Sequence, residues 1–308
     1  MQRSLQPLLA RLVDQVDSII VGKRDHIEDC VACLVAGGHL LIEDVPGVGK
    51  TTLAQALALS LGLRFTRVQF TSDLMPSDLV GVSVFERTRE AFVFQPGPVF
   101  TQVLLADEIN RAGPRTQSAL LEAMEERQVS VDHSTHALPR PFFVVATQNP
   151  TDHLGTHPLP ESQLDRFLMR ITLGYPDRQA ERALLAGADR RAALARLAPV
   201  MTPEELQQAQ VAALGVSVSG ALLDYLQALV EATRSGRWFV QGLSPRAAIA
   251  LLGAARARAF MAGRDYVAPD DLQALLPQTI AHRLVPASGA GRGAREQVLA
   301  MMEATPLP

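Results

Sequence analysis

Residues 41–52 read LIEDVPGVGKTT, in which a short apolar run is followed by a glycine-rich turn and then by the start of a helical pattern. Strand, glycine-rich turn and helix in this order are typical of a P-loop, whose backbone N–H groups hold phosphates at a helix N-terminus. Lys50 is expected to reach the β- and γ-phosphates of a nucleotide, and the hydroxyl of Thr51 to hold Mg²⁺. The predicted binding residues of this loop are Pro46, Gly47, Val48, Gly49, Lys50, Thr51 and Thr52.

A lysine in this loop is unusual, because the chain contains almost no other lysine. Of 29 basic residues, only Lys23 and Lys50 are lysines, and all the others are arginines. A lysine at position 50 therefore indicates a need for a compact ammonium group, which suits a site between phosphates. One position departs from the strict pattern GxxxxGK[ST], because Asp44 stands where that pattern has glycine. Asp44 comes at the end of the predicted strand, before the tight part of the turn, so we retain the prediction.

A second apolar run, VLLADEIN over residues 103–110, delivers two consecutive carboxylates at the end of a predicted strand. Ligands of open α/β sheets bind at the carboxyl ends of the strands. Asp107 is therefore predicted to anchor Mg²⁺, and Glu108 to orient and polarise the water that attacks the γ-phosphate. The chain lacks the NKxD motif that reads guanine, which argues against a GTPase.

Around these two motifs, apolar runs alternate with helical patterns as far as residue 176. The alternation predicts an α/β fold with a five-stranded parallel sheet and helices on both faces. In two stretches, residues 82–94 and 128–138, apolar and polar residues alternate on both sides of a polar centre. This pattern predicts two β-hairpin insertions. The predicted strands are His39–Glu43, Arg64–Phe70, Val103–Asp107, Phe142–Thr147 and Leu168–Leu173, and the predicted helices are Thr51–Leu61, Arg115–Glu126 and Glu161–Arg166.

The pattern changes after Pro176. The remainder is rich in Ala, Leu and Arg and predicts helices only, with helix-start signals at Thr202-Pro203 and Ser244-Pro245. We therefore predict two domains. The first is an α/β nucleotide-binding core with an N-terminal helix over residues 1–176, and the second is a small all-α lid over residues 177–308.

The composition excludes several classes of protein. Apolar residues make up 47% of the 308 residues and charged residues 20%, which is typical of a globular chain and not of a disordered one. A net charge of −3 and an aromatic content of 5% argue against a dedicated nucleic-acid binder. No run approaches the ~20 apolar residues of a membrane helix, so we predict a cytoplasmic protein without membrane insertion.

Several further features are interpreted as structural. Cys30 and Cys33 cannot form a disulfide framework and are expected in the core. The histidines at 133, 136, 153 and 157 are expected in a hairpin turn or a loop, facing solvent rather than a metal. The stretch from residue 286 to residue 308 is partly rich in Gly and Ala, and little is assigned to it.

Longer strings around these motifs are more specific than the P-loop itself. They read LIEDVPGVGKT, ADEINRAGPRTQSALLEAMEERQV, ATQNP, GTHPLPESQLDRF and GLSPRA. In this combination the chain resembles the MoxR family of AAA+ ATPases, over about residues 21–285. The resemblance implies an AAA+ core followed by a helical lid, with the two hairpins matching insertions of that clade.

The resemblance also implies roles for residues beyond the two motifs. Asn149 matches sensor 1, a polar side chain beside the γ-phosphate or its water. Arg166 matches the arginine finger, which acts across a subunit boundary, and Arg246 matches sensor 2, which couples the lid to ATP. The segment implied to lie beside the adenine consists of Ile20, Val21 and Gly22.

Simpler interpretations of the arginines stay open on sequence alone. Arg166 could cap a helix or pair with Asp165, and Arg246 could simply be an arginine in the first turn of a helix. The helix dipole disfavours a cation at that end, which indicates an anionic partner for Arg246. Arg111 and Arg115 could pair with acidic neighbours or face an adjoining subunit.

As a member of that family, the chain would use ATP and Mg²⁺, hydrolyse ATP to ADP and phosphate, and form a homo-oligomeric ring, with a hexamer expected. The expected task is chaperone-like remodelling, maturation or activation of a partner protein or complex, and the usual companion is a von Willebrand factor A domain protein. Three other functions stay open. They are a nucleotide-dependent assembly scaffold with little turnover, a motor subunit like that of magnesium chelatase, and a nucleic-acid motor.

Overall fold

The computed structural model describes residues 4–132, 134–150, 155–185, 190–287 and 293–307. The strands in this part of the chain are β1 (Leu40–Glu43), β2 (Phe65–Gln69), β3 (Gly81–Glu86), β4 (Ala91–Pro96), β5 (Val103–Asp107), β6 (Gln128–Val131), β7 (Ser134–Ala137), β8 (Phe143–Gln148) and β9 (Met169–Ile171). The helices are α1 (Leu5–Asp17), α2 (Arg24–Val35), α3 (Lys50–Ser60), α4 (Pro76–Val80), α5 (Pro114–Glu126), α6 (Glu161–Leu164), α7 (Arg178–Leu185), α8 (Arg190–Ala195), α9 (Pro203–Leu214), α10 (Gly220–Arg234), α11 (Pro245–Met261), α12 (Pro269–Ile280) and α13 (Ala294–Ala304).

Five strands form one parallel sheet in the order β2-β5-β8-β1-β9, which confirms the predicted α/β core. β1 is in register with both neighbours, since Leu40 pairs with Val145 on one side and with Met169 on the other. Each predicted strand is present, with ends shifted by a residue or two. The predicted helix Glu161–Arg166 ends earlier, at Leu164, because the chain then turns to enter β9.

Successive residues of the sheet face two separate cores, because side chains alternate along a strand. Leu40 packs into a first core with α1, α2 and α3, and Leu41 packs into a second core with α5. Cys30 and Cys33 are fully buried in the first core, as expected. Cover on both faces explains why the three central strands, β5, β8 and β1, read as largely apolar runs in the sequence.

Two antiparallel hairpins, β3–β4 and β6–β7, lie outside this sheet, as predicted. They meet where the ring of Phe94 stacks on His136, with ring centroids 3.9 Å apart. His136 is therefore a half-buried residue of β7 and not a solvent-facing residue of the turn, because the phenyl ring covers it. His157 is exposed, and His133 and His153 lie outside the described residues.

The chain after β9 is helical, which confirms the predicted lid architecture. Both predicted start signals form side-chain caps: Thr202 Oγ1 accepts a hydrogen bond from Glu205 N at 3.2 Å, and Ser244 Oγ accepts one from Ala247 N at 3.1 Å. α11 packs against α2 as well as against α9 and α12. The lid helices therefore share the first core with the N-terminal part of the chain.

The C-terminal stretch contains a helix that the sequence analysis did not predict. α13 packs on α12 and α10, and it buries Val298 and Met301. Its start lies beside residues rich in Gly, which hid the helical periodicity from the sequence analysis. Within the described ranges, none of the helices has the length and apolar character that a membrane crossing requires.

A buried histidine joins the sheet to α5. His39 Nδ1 accepts a hydrogen bond from Val144 N at 3.0 Å, so Nε2 carries the proton and donates to the Met124 carbonyl at 3.2 Å. Burial lowers the pKa of His39 to about 4. The folded protein therefore keeps this ring neutral, whereas the unfolded chain protonates it near pH ~6.5.

We expect His39 to make the protein less stable in acid. Because the unfolded chain binds a proton that the folded state excludes, the free energy of unfolding falls as the pH drops below ~6.5, by about 1.4 kcal/mol per pH unit. The loss continues until the pH reaches the folded pKa of about 4. Urea denaturation at about pH 7 and about pH 5 measures this difference in the free energy of unfolding. His39→Gln cannot titrate, so it should lose less stability than wild type, and equal losses would contradict this assignment.

Candidate nucleotide site

The phosphate loop turns at two glycines. Gly47 and Gly49 have φ values of +87° and +96°, in the left-handed region that glycine enters without steric cost. A Cβ on Gly47 would meet no atom within 4 Å, so that side of the loop is open. α3 starts at Lys50, so its first-turn N–H groups are available to an anion at this place. The other predicted residues of the loop are Pro46, Val48, Thr51 and Thr52.

Asp44, the residue that departs from the strict P-loop pattern, braces the loop with its side chain. The carboxylate is buried; Oδ1 accepts a hydrogen bond from Val45 N at 2.8 Å, and Oδ2 accepts one from Gly174 N at 2.6 Å. Lys50 Nζ donates to the Asp44 carbonyl oxygen at 2.6 Å. Burial lowers the pKa of Lys50, and the nearby carboxylates oppose that shift. The loop is thus tied to the chain that follows β9.

Asp107 and Glu108 stand at the end of β5, at the same edge of the sheet as the phosphate loop. The hydroxyl of Thr147, on β8, joins them: it donates to Asp107 Oδ1 at 2.6 Å and accepts a hydrogen bond from Glu108 N at 2.9 Å. Lys50 lies beyond the end of β1, which only β8 separates from β5, and both carboxylates raise the pKa of Lys50 against the effect of burial. The structure therefore brings the cation of one predicted motif together with the carboxylates of the other.

Each carboxylate of the pair has further partners. Glu108 has a left-handed backbone, with φ +56°, and its side chain accepts a hydrogen bond from Gln69 Nε2 at 2.7 Å. Glu108 also forms an ion pair with Arg111 Nε at 3.1 Å, which is the acidic pairing left open for that arginine. Asp107 Oδ2 accepts hydrogen bonds from Nη2 and Nε of Arg67, at 2.7 and 3.1 Å.

Asn149 lies between the carboxylates and the phosphate loop. Asn149 follows β8, which lies between β5 and β1 in the sheet, and only 8% of the surface of Asn149 is exposed. Asp44 N donates to the Gln148 carbonyl at 3.2 Å, so the ends of β1 and β8 are adjacent. A polar side chain at this point of the sheet is adjacent to both the phosphate loop and the Asp107–Glu108 pair.

The segment predicted to lie beside the adenine runs close to the phosphate loop. Ile20 is buried, and its Cδ1 lies 4.0 Å from the position that a Cβ on Gly49 would take. Val21 is 41% exposed. Gly22 lies against Asp177, whose Oδ2 would be 3.1 Å from a Cβ on the glycine. The segment therefore lies between the loop and the first residues of the helical part.

Arg166 lies at the opposite edge of the sheet from its own phosphate loop. Leu168 N donates at 2.8 Å to the carbonyl of His39, the residue before β1, so Arg166 is at the amino edge of the sheet. The phosphate loop instead follows the carboxyl end of β1. The four residues of β1, at ~3.3 Å each, therefore separate the two places by roughly 13 Å.

Arg246, at the start of α11, lies at this amino edge too. Glu125 Oε1 accepts a hydrogen bond from Arg246 Nη1 at 2.7 Å, and Glu125 Oε2 forms an ion pair with Arg166 Nη2 at 3.1 Å. Arg246 Nε is also 4.0 Å from Asp165 Oδ2. The anionic partner expected for Arg246 is thus present within the chain, and the carboxylate that pairs with Arg166 is Glu125 rather than Asp165.

Four residues with contacts to the predicted site were missed from the sequence. Thr147 lies within the string ATQNP but was given no role, and Arg67 and Gln69 come from β2, which the sequence places far from β5. Glu125 reads as an ordinary glutamate in a helix. Each is brought to the site only by the order of the strands or the direction of a helix. Arg115 is exposed on α5, and its role stays a prediction.

The site contains the donors that ATP and Mg²⁺ require. N–H groups of the first turn of α3 and the ammonium of Lys50 suit phosphates. The hydroxyl of Thr51 and the carboxylate of Asp107 are the hard oxygen ligands that Mg²⁺ prefers, and this ion is usually held by one or two such groups together with phosphates. In the part of the chain that the structure describes, no group of three or more His, Cys, Asp or Glu side chains is placed to bind a metal without a nucleotide.

Comparison with known proteins agrees with this geometry. Residues 39–169 match the family described as the ATPase family associated with various cellular activities (AAA), and residues 231–300 match the AAA lid domain. Chaperone MoxR1 of Mycobacterium tuberculosis is 42% identical over 286 residues, which cover 90% of this chain and 75% of that protein. Protein MoxR of Methylorubrum extorquens is 32% identical over 299 residues, with coverage of 89% and 87%.

The fold comparison covers nearly the whole chain. The solved structure of a protein from Cytophaga hutchinsonii, provisionally described as an ATPase, has a TM-score of 0.89 and 34% identity to this chain. The match covers 99% of this chain and 96% of that one. With its phosphate loop, its paired carboxylates and its helical lid, the chain belongs to the MoxR family of AAA+ ATPases.

Proposed function

We propose that the chain hydrolyses ATP to ADP and phosphate and uses this reaction for chaperone-like remodelling, maturation or activation of a partner protein or complex. The observation that carries the proposal is that Lys50, Asp107 and Glu108 lie at the same edge of the sheet, beyond the ends of β1 and β5. Phosphoryl transfer depends on positioned charge and an oriented water more than on covalent chemistry. The name of the related Chaperone MoxR1 supports the remodelling task.

In this proposal, the phosphate loop binds ATP. The N–H groups at the start of α3 hold the phosphates, and Lys50 exchanges the Asp44 carbonyl for phosphate oxygens. Thr51 and Asp107 would hold Mg²⁺, which when bound offsets the negative charge of the phosphates. Ile20 and its neighbours would line the base, since they lie beside the loop.

Glu108 is proposed to orient and polarise the attacking water. Thr147 fixes its backbone N–H, and the left-handed backbone of Glu108 sets the direction of its side chain. Gln69 and Arg111 hold the carboxylate in place. Asn149 would contact the γ-phosphate or the water from the adjacent strand end. These groups supply the phosphate loop, the metal ligands, the base and the sensor from one subunit, and a further cation for the charge that develops on the γ-phosphate would come from a neighbour.

We further propose that Arg166 provides this cation to the neighbouring subunit. It cannot reach its own loop, because the length of the sheet lies between them. In a homo-oligomeric ring, expected to be a hexamer, the amino edge of one subunit would face the carboxyl edge of the next. Arg246 would then act on the same neighbouring nucleotide as Arg166, since both contact Glu125.

Lys50→Ala should abolish nucleotide binding, because it removes the ammonium that contacts the phosphates. Glu108→Gln should leave ATP bound but unhydrolysed, because a neutral amide cannot polarise the water. Titration with a fluorescent ATP analogue and phosphate release measure the two effects. Arg89→Ala removes a charge from the exposed β3–β4 turn and should match wild type in both assays. Equal ATP affinity in Lys50→Ala and wild type would refute the assignment of the loop.

Arg166→Ala should keep nucleotide affinity and lose nearly all turnover, because an arginine finger is worth ~10³–10⁵ in rate. Mixing it with Lys50→Ala should restore part of the activity. In a mixed ring, the intact phosphate loop of one variant faces the intact Arg166 of the other. Phosphate release by mixtures with demonstrated co-assembly tests this. Wild-type turnover by Arg166→Ala alone, or no recovery on mixing, would exclude a shared site.

The Glu108→Gln variant should capture a von Willebrand factor A domain protein from the source cells in the presence of ATP. The reason is that a subunit with unhydrolysed ATP is held in one state of its cycle, which slows release of a partner. Affinity purification followed by mass spectrometry identifies the captured protein. Lys50→Ala, which cannot bind ATP, is the matched control. Recovery of nucleic acid without such a protein would favour the nucleic-acid motor instead.

A further inference from the structure

A single carboxylate lies between the two arginines that the proposed function uses. Glu125 Oε1 accepts a hydrogen bond from Arg246 Nη1 at 2.7 Å, and Oε2 is paired with Arg166 Nη2 at 3.1 Å. Each oxygen serves one guanidinium, so this carboxylate fixes the spacing between two cations that otherwise repel each other. The Glu125 side chain is itself 31% exposed, so the cluster is accessible from outside.

The positions of Glu125 and Arg246 on their helices are unfavourable unless the two side chains meet. Glu125 lies in the last turn of α5, where the carbonyl groups carry partial negative charge. Arg246 lies in the first turn of α11, where the N–H groups carry partial positive charge. Each charge faces a helix end of its own sign, and their contact relieves both conflicts. The hydrogen bond from Arg246 also holds the pKa of Glu125 below its ordinary value.

Two further charged residues, Asp165 and Arg283, extend this cluster. Asp165 Oδ1 is 3.4 Å from Arg283 Nε, and Asp165 Oδ2 is 4.0 Å from Arg246 Nε. Three arginines therefore share two carboxylates through ion pairs, and Glu122 and Glu126 line the same cavity as Arg166 and Glu125. Arg283 is buried and donates to the Phe167 carbonyl at 2.9 Å, whereas the side chains of Arg166 and Arg246 are 31% and 58% exposed. Two accessible guanidiniums held side by side suit a phosphate group.

We propose that Glu125 is a positioning residue, which holds Arg166 and Arg246 as one unit and presents them to the nucleotide of the neighbouring subunit. The inference rests on the proposed role of Arg166 across the interface. Glu125 touches no reacting atom, so its effect passes through the geometry of the two guanidiniums, which have to be in place before charge develops. It should change turnover without changing nucleotide binding, because the phosphate loop lies at the other edge of the sheet.

Glu125→Gln removes the charge and keeps the shape of the side chain. We expect kcat to fall about 100-fold, the cost of a small misplacement of catalytic groups, with unchanged ATP affinity and unchanged KM. The matched control is Glu126→Gln, which removes the same charge one residue later, where the described residues form no ion pair with it. The control should retain wild-type turnover. Wild-type turnover in Glu125→Gln would overturn the inference.

Each subunit interface has a side with the phosphate loop and a side with the arginine cluster, and mixed assemblies show on which of the two sides Glu125 acts. Glu125→Gln mixed with Lys50→Ala should regain turnover, because roughly a quarter of the interfaces in a random closed ring pair an intact loop with an intact arginine cluster. Glu125→Gln mixed with Arg166→Ala should not regain turnover, since both variants damage the same side. Recovery with Arg166→Ala, or no recovery with Lys50→Ala despite co-assembly, would overturn the inference.

The mixture of Arg166→Ala with Lys50→Ala separates this inference from the proposed function. If that mixture stays inactive, the role of Arg166 across the interface is wrong, and the role of Glu125 falls with it. If that mixture recovers while Glu125→Gln recovers with neither partner, only the role of Glu125 is wrong. Differently tagged subunits, copurified before each assay, establish that the mixed assemblies form.

Discussion

A parallel sheet has two different edges, and the chemistry of this chain is divided between them. The phosphate loop, Asp107 and Glu108 follow the carboxyl ends of strands, whereas Arg166 and Arg246 lie at the amino edge. The strands are fixed in register, and β1, β5 and β8 are buried on both faces, so no rearrangement of side chains carries Arg166 or Arg246 from one edge to the other. In the proposed mechanism, hydrolysis therefore depends on a second subunit, and assembly is part of the catalytic machinery.

Buried polar groups keep each edge rigid. At the carboxyl edge, the hydroxyl of Thr147 both donates to Asp107 and accepts from the Glu108 backbone, so the two acidic residues are held by the neighbouring strand. At the amino edge, His39 links Val144 of the sheet to Met124 of α5, one residue before Glu125. A buried polar group that loses its partner is costly, and these contacts therefore specify one arrangement.

The lid is coupled to the core in two ways. α11 packs against α2 in a shared apolar core, and the first turn of α11 carries Arg246 to Glu125 on α5. Any shift of α11 would consequently move Arg246 relative to Arg166, unless the Glu125 carboxylate holds the two arginines together. Gly22 lies against Asp177 near the phosphate loop, so the same helical region also borders the proposed base-binding segment.

The five strands, the phosphate loop, the acidic pair and the helical lid could all be predicted from the sequence, because each rests on a local pattern of apolar periodicity, glycines and caps. Arg166 and Arg246 were identified by resemblance, but their shared partner was not. Glu125 and Thr147 lie in strings that carry the resemblance, but no local pattern gives them a role, since their importance arises only when strand order and helix direction bring distant segments together. Which edge each charge occupies follows only from the three-dimensional structure, because an edge is a property of the assembled sheet and not of any one strand.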